Sequence, residues 1–196
     1  MRVELRPGDV TDTGGYLANR AEVYARHATR ATAPERWPDP IGSVRWYSID
    51  LYIPKGFCTS DRAADWLVLT QWKGLNGGSP PLALEIKRQS LDLGGKRIRR
   101  SLGPLQKGRW TRIVVGMKLS PNPRQGWVQV ARDGRRVMPR ERLATMDAYE
   151  KDGVREPDPI YLKQGLYRSA GWRCRQVLYF GPTVVTDRFR DLPATG

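Results

Sequence analysis

The sequence predicts an all-β sandwich, and three observations carry that prediction. Several stretches alternate apolar and polar residues with period two over the length of a strand. Asp133-Gly134 stands between two apolar stretches, where a hairpin turn needs residues that tolerate positive φ. Gly (20) and Pro (15) are frequent in a chain of 196 residues, so turns interrupt the pattern at short spacing. Hydrophobic residues make up 39%, enough for a real core, which excludes wholesale disorder. Neither an internal repeat nor a linker divides the chain, and residues 1–196 read as one domain of sandwich or jelly-roll type.

The elements follow in order. Val44 to Ile53 places Tyr47, Ile49, Leu51 and Ile53 on one face, with Trp46, Ser48, Asp50 and Tyr52 on the other. Trp66 to Lys73 alternates again. Strict period two puts Trp66, Val68, Thr70 and Trp72 on one side, and Leu67, Leu69, Gln71 and Lys73 on the other. Pro81 to Lys87, Arg109 to Leu119, Gly126 to Ala131, Tyr161 to Arg168 and Val177 to Val185 complete the strands. Pro139 to Tyr149 is read as a short helical turn. Thr29 to Gly42, Asn76 to Pro80 and Lys151 to Pro159 are read as loops from their Pro, Gly and charge content. The basic run Lys96 to Arg100 reads either as a nucleic-acid patch or, the favoured reading, as a hairpin edge guarded by charge.

Composition narrows the chemistry. His27 is the single histidine, and Cys58 and Cys174 are the two cysteines, so a zinc site of the Cys/His kind lacks ligands. A nucleophile-histidine system would have to use His27. The cysteines either form one disulfide or remain two core thiols. The net charge of +14 points to a polyanionic partner. No apolar stretch approaches the ~20 residues of a membrane helix, and the first residues have no signal-peptide character.

Three segments carry polar residues where a buried strand expects apolar ones. In Asn19 to Val23, Arg20 and Glu22 point the same way. In Thr70 to Gly74, Gln71 and Lys73 share a face while Trp72 packs behind them. In Tyr161 to Arg168, Tyr161, Lys163, Gly165 and Tyr167 share a face. Side by side, these strands would line a positive groove with tyrosine walls.

The ordered series RVELRPGD, NRAEV, RWYSIDLYIP, TQWKG, GSPPLALEI, GRWTRIVVGMK, DGRRV and YLKQGLYR resembles the polysaccharide lyase family that includes heparin lyase I and fungal glucuronan lyase. It is similar, more distantly, to the alginate lyases of the same architecture. The resemblance implies a concanavalin-like β-jelly roll of two curved antiparallel sheets, with substrate in a concave groove. It implies β-elimination on a uronic acid: the carboxylate is neutralised, a base removes the C5 proton, and an acid protonates the glycosidic oxygen. Carried onto this chain, Arg20 and Gln71 hold the carboxylate, and Tyr167 is the acid, or both acid and base. Lys163 lowers the Tyr167 pKa or binds substrate charge, and Glu22 orients Arg20. Tyr161 and Arg168 join Glu22 and Lys163 as substrate-binding residues.

One departure stands out: the family commonly has His where this chain has Lys73. Lysine is a base only if its pKa, ~10.4 unperturbed, is pulled down by burial or nearby cations. Otherwise Lys73 binds carboxylate, or the site binds without catalysing. Trp46, Trp66, Trp72, Trp110 and Trp127 are read as core; Trp37 and Trp172 are the sugar-stacking candidates.

The leading expectation is a lyase acting on an acidic polysaccharide, with a non-catalytic carbohydrate-binding jelly roll as the alternative. Nucleic acid is a weaker fit, since no helix-turn-helix or RRM signature is present. A sandwich-type glycoside hydrolase would need two positioned carboxylates, and its E-x-D-x-E strand is missing. No cofactor or metal is expected, and structural calcium is not indicated by the residues. A monomer acting outside the cell or at its surface, with no membrane partner, completes the expectation.

Overall fold

Alternation on this scale builds strands, and the chain forms fifteen of them among the described residues. The computed structural model describes residues 1–12, 17–24, 41–62 and 64–193. The first eight strands are β1 (Arg2–Leu5), β2 (Val10–Asp12), β3 (Leu17–Tyr24), β4 (Val44–Tyr52), β5 (Leu67–Gly74), β6 (Leu82–Lys87), β7 (Ser90–Gly94) and β8 (Arg100–Pro104). The remainder are β9 (Trp110–Lys118), β10 (Trp127–Arg132), β11 (Arg135–Arg142), β12 (Asp147–Lys151), β13 (Val154–Asp158), β14 (Ile160–Ser169) and β15 (Gln176–Thr186). A six-stranded sheet runs β1-β15-β4-β9-β10-β11, and a seven-stranded sheet runs β2-β3-β14-β5-β6-β7-β8. A separate hairpin pairs β12 with β13. All pairings are antiparallel, and the architecture is the jelly roll that the sequence predicts.

The core lies between the two sheets. Strand β4 sends Tyr47, Ile49 and Leu51 inward as its alternation requires, and β9 adds Ile113, Val115 and Met117. Leu67, Leu69, Trp72, Leu84 and Ile86 face them from the seven-stranded sheet. Trp72 is fully buried, with its ring edge-on to Tyr47 at 5.4 Å. Each such side chain contributes ~1.5–3 kcal/mol of transfer free energy.

Strict alternation fails at one place, in the middle of the seven-stranded sheet. Between β5 and β6, Val68 pairs with Glu85 and Thr70 with Leu84, so β5 carries one extra residue there. Between β14 and β5 the register slips again, between Gln164 and Tyr167. A bulge moves every residue beyond it to the opposite face. Leu67 and Leu69 therefore face the core, while Gln71 and Lys73 face outward. Trp66 and Val68 face outward too, although strict period two grouped them with Trp72. Gly165 sits at the β14 slip with φ of 155°, where a Cβ would collide with the Ala21 carbonyl of β3.

Other expectations need correction. Residues 139–149 form no helical turn: Pro139 to Arg142 complete the edge strand β11, and β12 begins at Asp147. Proline is tolerated at an edge next to a bulge, and the β10–β11 register shifts there. Residues 151–159 are largely strand, because Asp152-Gly153 (φ 51° and 76°) turns β12 into β13. Trp110 is 52% exposed on the outer face of the six-stranded sheet, tilted against Tyr52. The Lys96–Arg100 run does border the edge strand β8, with Arg97, Arg99 and Arg100 paired to Asp147, Glu85 and Glu141. Cys58 and Cys174 form a disulfide that ties the segment after β4 to the β14–β15 connection. His27, Trp37 and nearly all of the Thr29–Gly42 loop lie outside the described residues.

Candidate active-site groove

The three polar segments become β3, β14 and β5, and these are adjacent strands in the order β3-β14-β5. Register then fixes their cross-strand neighbours. Tyr167 lies opposite Arg20, and Gly165 opposite Glu22. On the other side of β14, Lys163 lies opposite Gln71 and Tyr161 opposite Lys73. Their outward faces form the floor of a groove of about 950 Å³. Among the described residues six cations line it, Arg20, Lys73, Lys87, Lys96, Arg99 and Lys163, with the carboxylate of Glu85 on the lining and that of Glu22 beneath the floor.

Glu22 organises the floor. Its side chain is only 2% exposed, and it forms ion pairs with Arg20 Nε at 3.0 Å and Lys163 Nζ at 2.9 Å. The Gln71 side-chain amide donates to its second oxygen. A buried carboxylate is tolerable only with this kind of compensation. Two cations against one anion leave the cluster net positive. Arg20 also lies over the Tyr167 ring, 4.1 Å from guanidinium carbon to centroid, and Trp66 meets the same ring edge-on at 4.6 Å. The phenol is thus clamped between a cation and an indole.

Lys73 stands at the other end of the floor. Burial lowers its pKa below the usual lysine value, and the charges of Lys163, Lys96 and Arg20 add to the effect. Asp158 opposes it. The Lys73 ammonium donates to the Gly78 carbonyl of the loop after β5. Asp158 holds the start of that loop, accepting from the backbone N–H groups of Leu75 and Asn76 at 3.0 and 3.1 Å. Its cross-strand partner at the open end of the β12–β13 hairpin, Asp147, accepts from Lys96 at 2.7 Å and Arg97 at 2.6 Å. The hairpin therefore fixes two pieces of the groove rim through its two terminal aspartates.

Seven of the eight residues singled out from the sequence meet around this floor: Arg20, Glu22, Gln71, Lys73, Tyr161, Lys163 and Tyr167. Arg168 does not. It is 0% exposed and points between the sheets. There it donates to the carbonyls of Arg6 and Cys174 and to the side chains of Asn19 and Gln176, at 2.8–3.0 Å. Alternation puts it on the face opposite Tyr167, and its role is structural. Trp172 is likewise buried, with Nε1 donating to the Trp66 carbonyl at 3.3 Å, so it offers no sugar platform. Trp66, read as core from sequence, is the tryptophan that lines the groove among the described residues. Glu85 was missed altogether. It sits on β6 beside the bulge, and burial raises its pKa while Arg99, 3.7 Å away, opposes the rise. A carboxylate at an alternating position of β6, beside a strand already nominated, was the available signal.

A two-sheet jelly roll with a cationic, tyrosine-bearing groove across the open face of one sheet suits the recognition of an acidic polymer. The polysaccharide lyase family profile matches residues 1–183, and the chain belongs to that family. No curated protein sequence matches the chain. Among solved structures, it is similar to an endo-β-1,4-glucuronan lyase from the fungus Trichoderma reesei. The TM-score is 0.69 at 17% identity, covering 97% of this chain and 81% of the other. It is also similar to a family 7 alginate lyase, A1-II′, solved as a variant in complex with substrate. There the TM-score is 0.63 at 12% identity, covering 95% and 77%. A cellulose-induced protein, Cip1, shares the fold at TM-score 0.51 and 9% identity, covering 77% and 71%.

Proposed function

We propose that the protein cleaves a uronate-containing polysaccharide by β-elimination in this groove. The observation that carries the reading is the Glu22 cluster beside Tyr167. Arg20, held by Glu22, meets the substrate carboxylate and offsets the charge that develops when the C5 proton leaves. Gln71 keeps amide capacity beyond its bond to Glu22 and assists. The base removes the C5 proton, the C4–O bond breaks, and a C4–C5 double bond forms. Tyr167 protonates the departing oxygen. Lys73, with its lowered pKa, is the candidate base at the position where the family has His. Lys163 holds Glu22 and lends positive charge to the floor. Tyr161 and Trp66 supply walls for the sugar rings. The Cys58–Cys174 disulfide supports action in an oxidising, extracellular setting.

One observation favours a second reading. The Lys73 ammonium is already engaged by the Gly78 carbonyl, as a binding or structural lysine would be. On that reading the groove holds acidic glycans without cleaving them. The deciding experiment incubates the protein with glucuronan, alginate and heparin-type chains from mildly acidic to alkaline pH. New ultraviolet absorbance from the conjugated double bond is expected with at least one. Binding without absorbance would replace the lyase with the binding module.

A further inference from the structure

The groove accounts for a minority of the positive charge, and a second concentration lies across the sandwich from it. Strand β11 contains Arg135, Arg136, Arg140 and Arg142 within eight residues, all exposed, at the edge of the six-stranded sheet. Register sorts their directions. Val128 and Val130 of β10 face the core, so their partners on β11, Glu141 and Met138, share the inward side. Glu141 there meets Arg100 of the other sheet. Trp127 and Ala131 face outward, and so do their partners Arg142 and Arg136. Arg140 lies over the Trp127 ring at 4.0 Å, on the same outer face. Lys118 of β9 pairs with Trp127 from the other side.

Arg136 to Arg142 thus form an outward row about 20 Å long, at ~3.3 Å per residue. None of Arg136, Arg140, Arg142 and Lys118 has a carboxylate partner among the described residues. Some arginines elsewhere are matched, with Arg2, Arg6 and Arg175 on Glu4, Arg45 on Asp187 and Arg112 on Asp50, and those unmatched among the described residues, such as Arg88, Arg155 and Arg173, are not gathered in one strand as these are. Charge that only guards an edge needs no order. Here Trp127 holds one guanidinium across the sheet face, and Arg142 is fixed by the Arg124 carbonyl at 2.8 Å.

We propose that this face is a second polyanion-binding surface, which holds a distant stretch of the acidic polysaccharide while the groove works on another. The choice of a glycan rests on the lyase reading. It also rests on Trp127, whose ring face is already covered by Arg140 and so is not offered to a nucleobase from that side.

The test compares the unmodified protein with R136Q/R140Q/R142Q and with the charge-keeping R136K/R140K/R142K. Retention on immobilised alginate is measured against salt. The Gln variant is expected to lose affinity roughly threefold to a hundredfold, the range three exposed ion pairs span. Its slope of log affinity against log salt should fall by about 2, at ~0.7 per lost contact. The Lys variant should keep the slope, which separates charge loss from misfolding. If the protein eliminates alginate, KM for long chains should rise in the Gln variant, with kcat on a short oligomer unchanged. Unchanged retention and slope in the Gln variant would overturn the proposal in favour of a simple edge guard. Displacement of alginate from this face by DNA of equal charge would overturn it in favour of nucleic acid. Retention needs no catalysis, so failure of the lyase reading shows separately, as missing absorbance from the unmodified protein.

Discussion

Replacing Glu22 with Gln removes the one anion that joins Arg20, Lys163 and Gln71. Both ion pairs, 3.0 and 2.9 Å long, lose their charge, and the side chains involved are largely sheltered from water: 2% exposed for Glu22 and 10% for Lys163. Breaking a buried pair by removing one partner typically costs ~3–5 kcal/mol, because the surviving charge stays buried. Arg20 is 31% exposed and can turn toward solvent, so its share is discounted. A loss of about 2–4 kcal/mol is expected, which for a chain of this size lowers Tm by roughly 4–16 °C. Thermal unfolding followed by circular dichroism measures it. Lys163→Met in the Glu22→Gln background removes the stranded cation. The double variant should therefore be more stable than the two single losses predict, by at least ~1 kcal/mol. A Tm within 2 °C of the parent for Glu22→Gln, or strict additivity, would refute the view of Glu22 as the hub of the floor.

Three further outcomes follow from the same structure. Cys58→Ser/Cys174→Ser should lower stability by about 2–5 kcal/mol, since the disulfide closes a long loop, and intact-mass analysis of the parent should show no free thiol. Glu85 has its pKa raised by burial, so the folded state holds its proton to higher pH than the unfolded chain. Its contribution is then present below the ordinary carboxylate value and is lost as pH rises through the raised one. Glu85→Gln should flatten that fall in urea titrations across pH and be no less stable at neutral pH. Lys73 has its pKa lowered, so if it is the base, kcat/KM should climb with pH along a limb centred below the ordinary lysine value. Lys73→Arg should erase the limb, and a limb unchanged by that substitution would assign it to another group.

Much of the fold was legible because alternation and burial coincide in β4 and β9, where period two and the core face agree residue for residue. The floor of the groove was legible for a related reason: Arg20, Glu22, Gln71, Lys73, Lys163 and Tyr167 are polar where a sheet at its centre expects apolar residues. The paired bulges in β5 and β14 were not legible. A single extra residue leaves no compositional trace, yet it moved Trp66 into the groove and Leu67 and Leu69 into the core. Arg168 was misassigned by its motif against its own parity. The β12–β13 hairpin was hidden by its charge content, although Asp152-Gly153 adopts the same positive-φ pair as Asp133-Gly134, which was read correctly. The ends of that hairpin, Asp147 and Asp158, act on the groove through loops distant in sequence, and only the fold brings them together.

Tyr167 bears the central claim most directly. It lies on the groove floor, held between Arg20 and Trp66, and Tyr167→Phe keeps the ring and those contacts while deleting the transferable proton. The measurement is the rate of ultraviolet absorbance on the best polyuronate, with equilibrium binding of the same polymer measured in parallel. Loss of a proton-transfer group predicts a drop in kcat of ~10²–10⁴-fold with binding changed little. An undiminished kcat in Tyr167→Phe, with the parent active, would contradict the account.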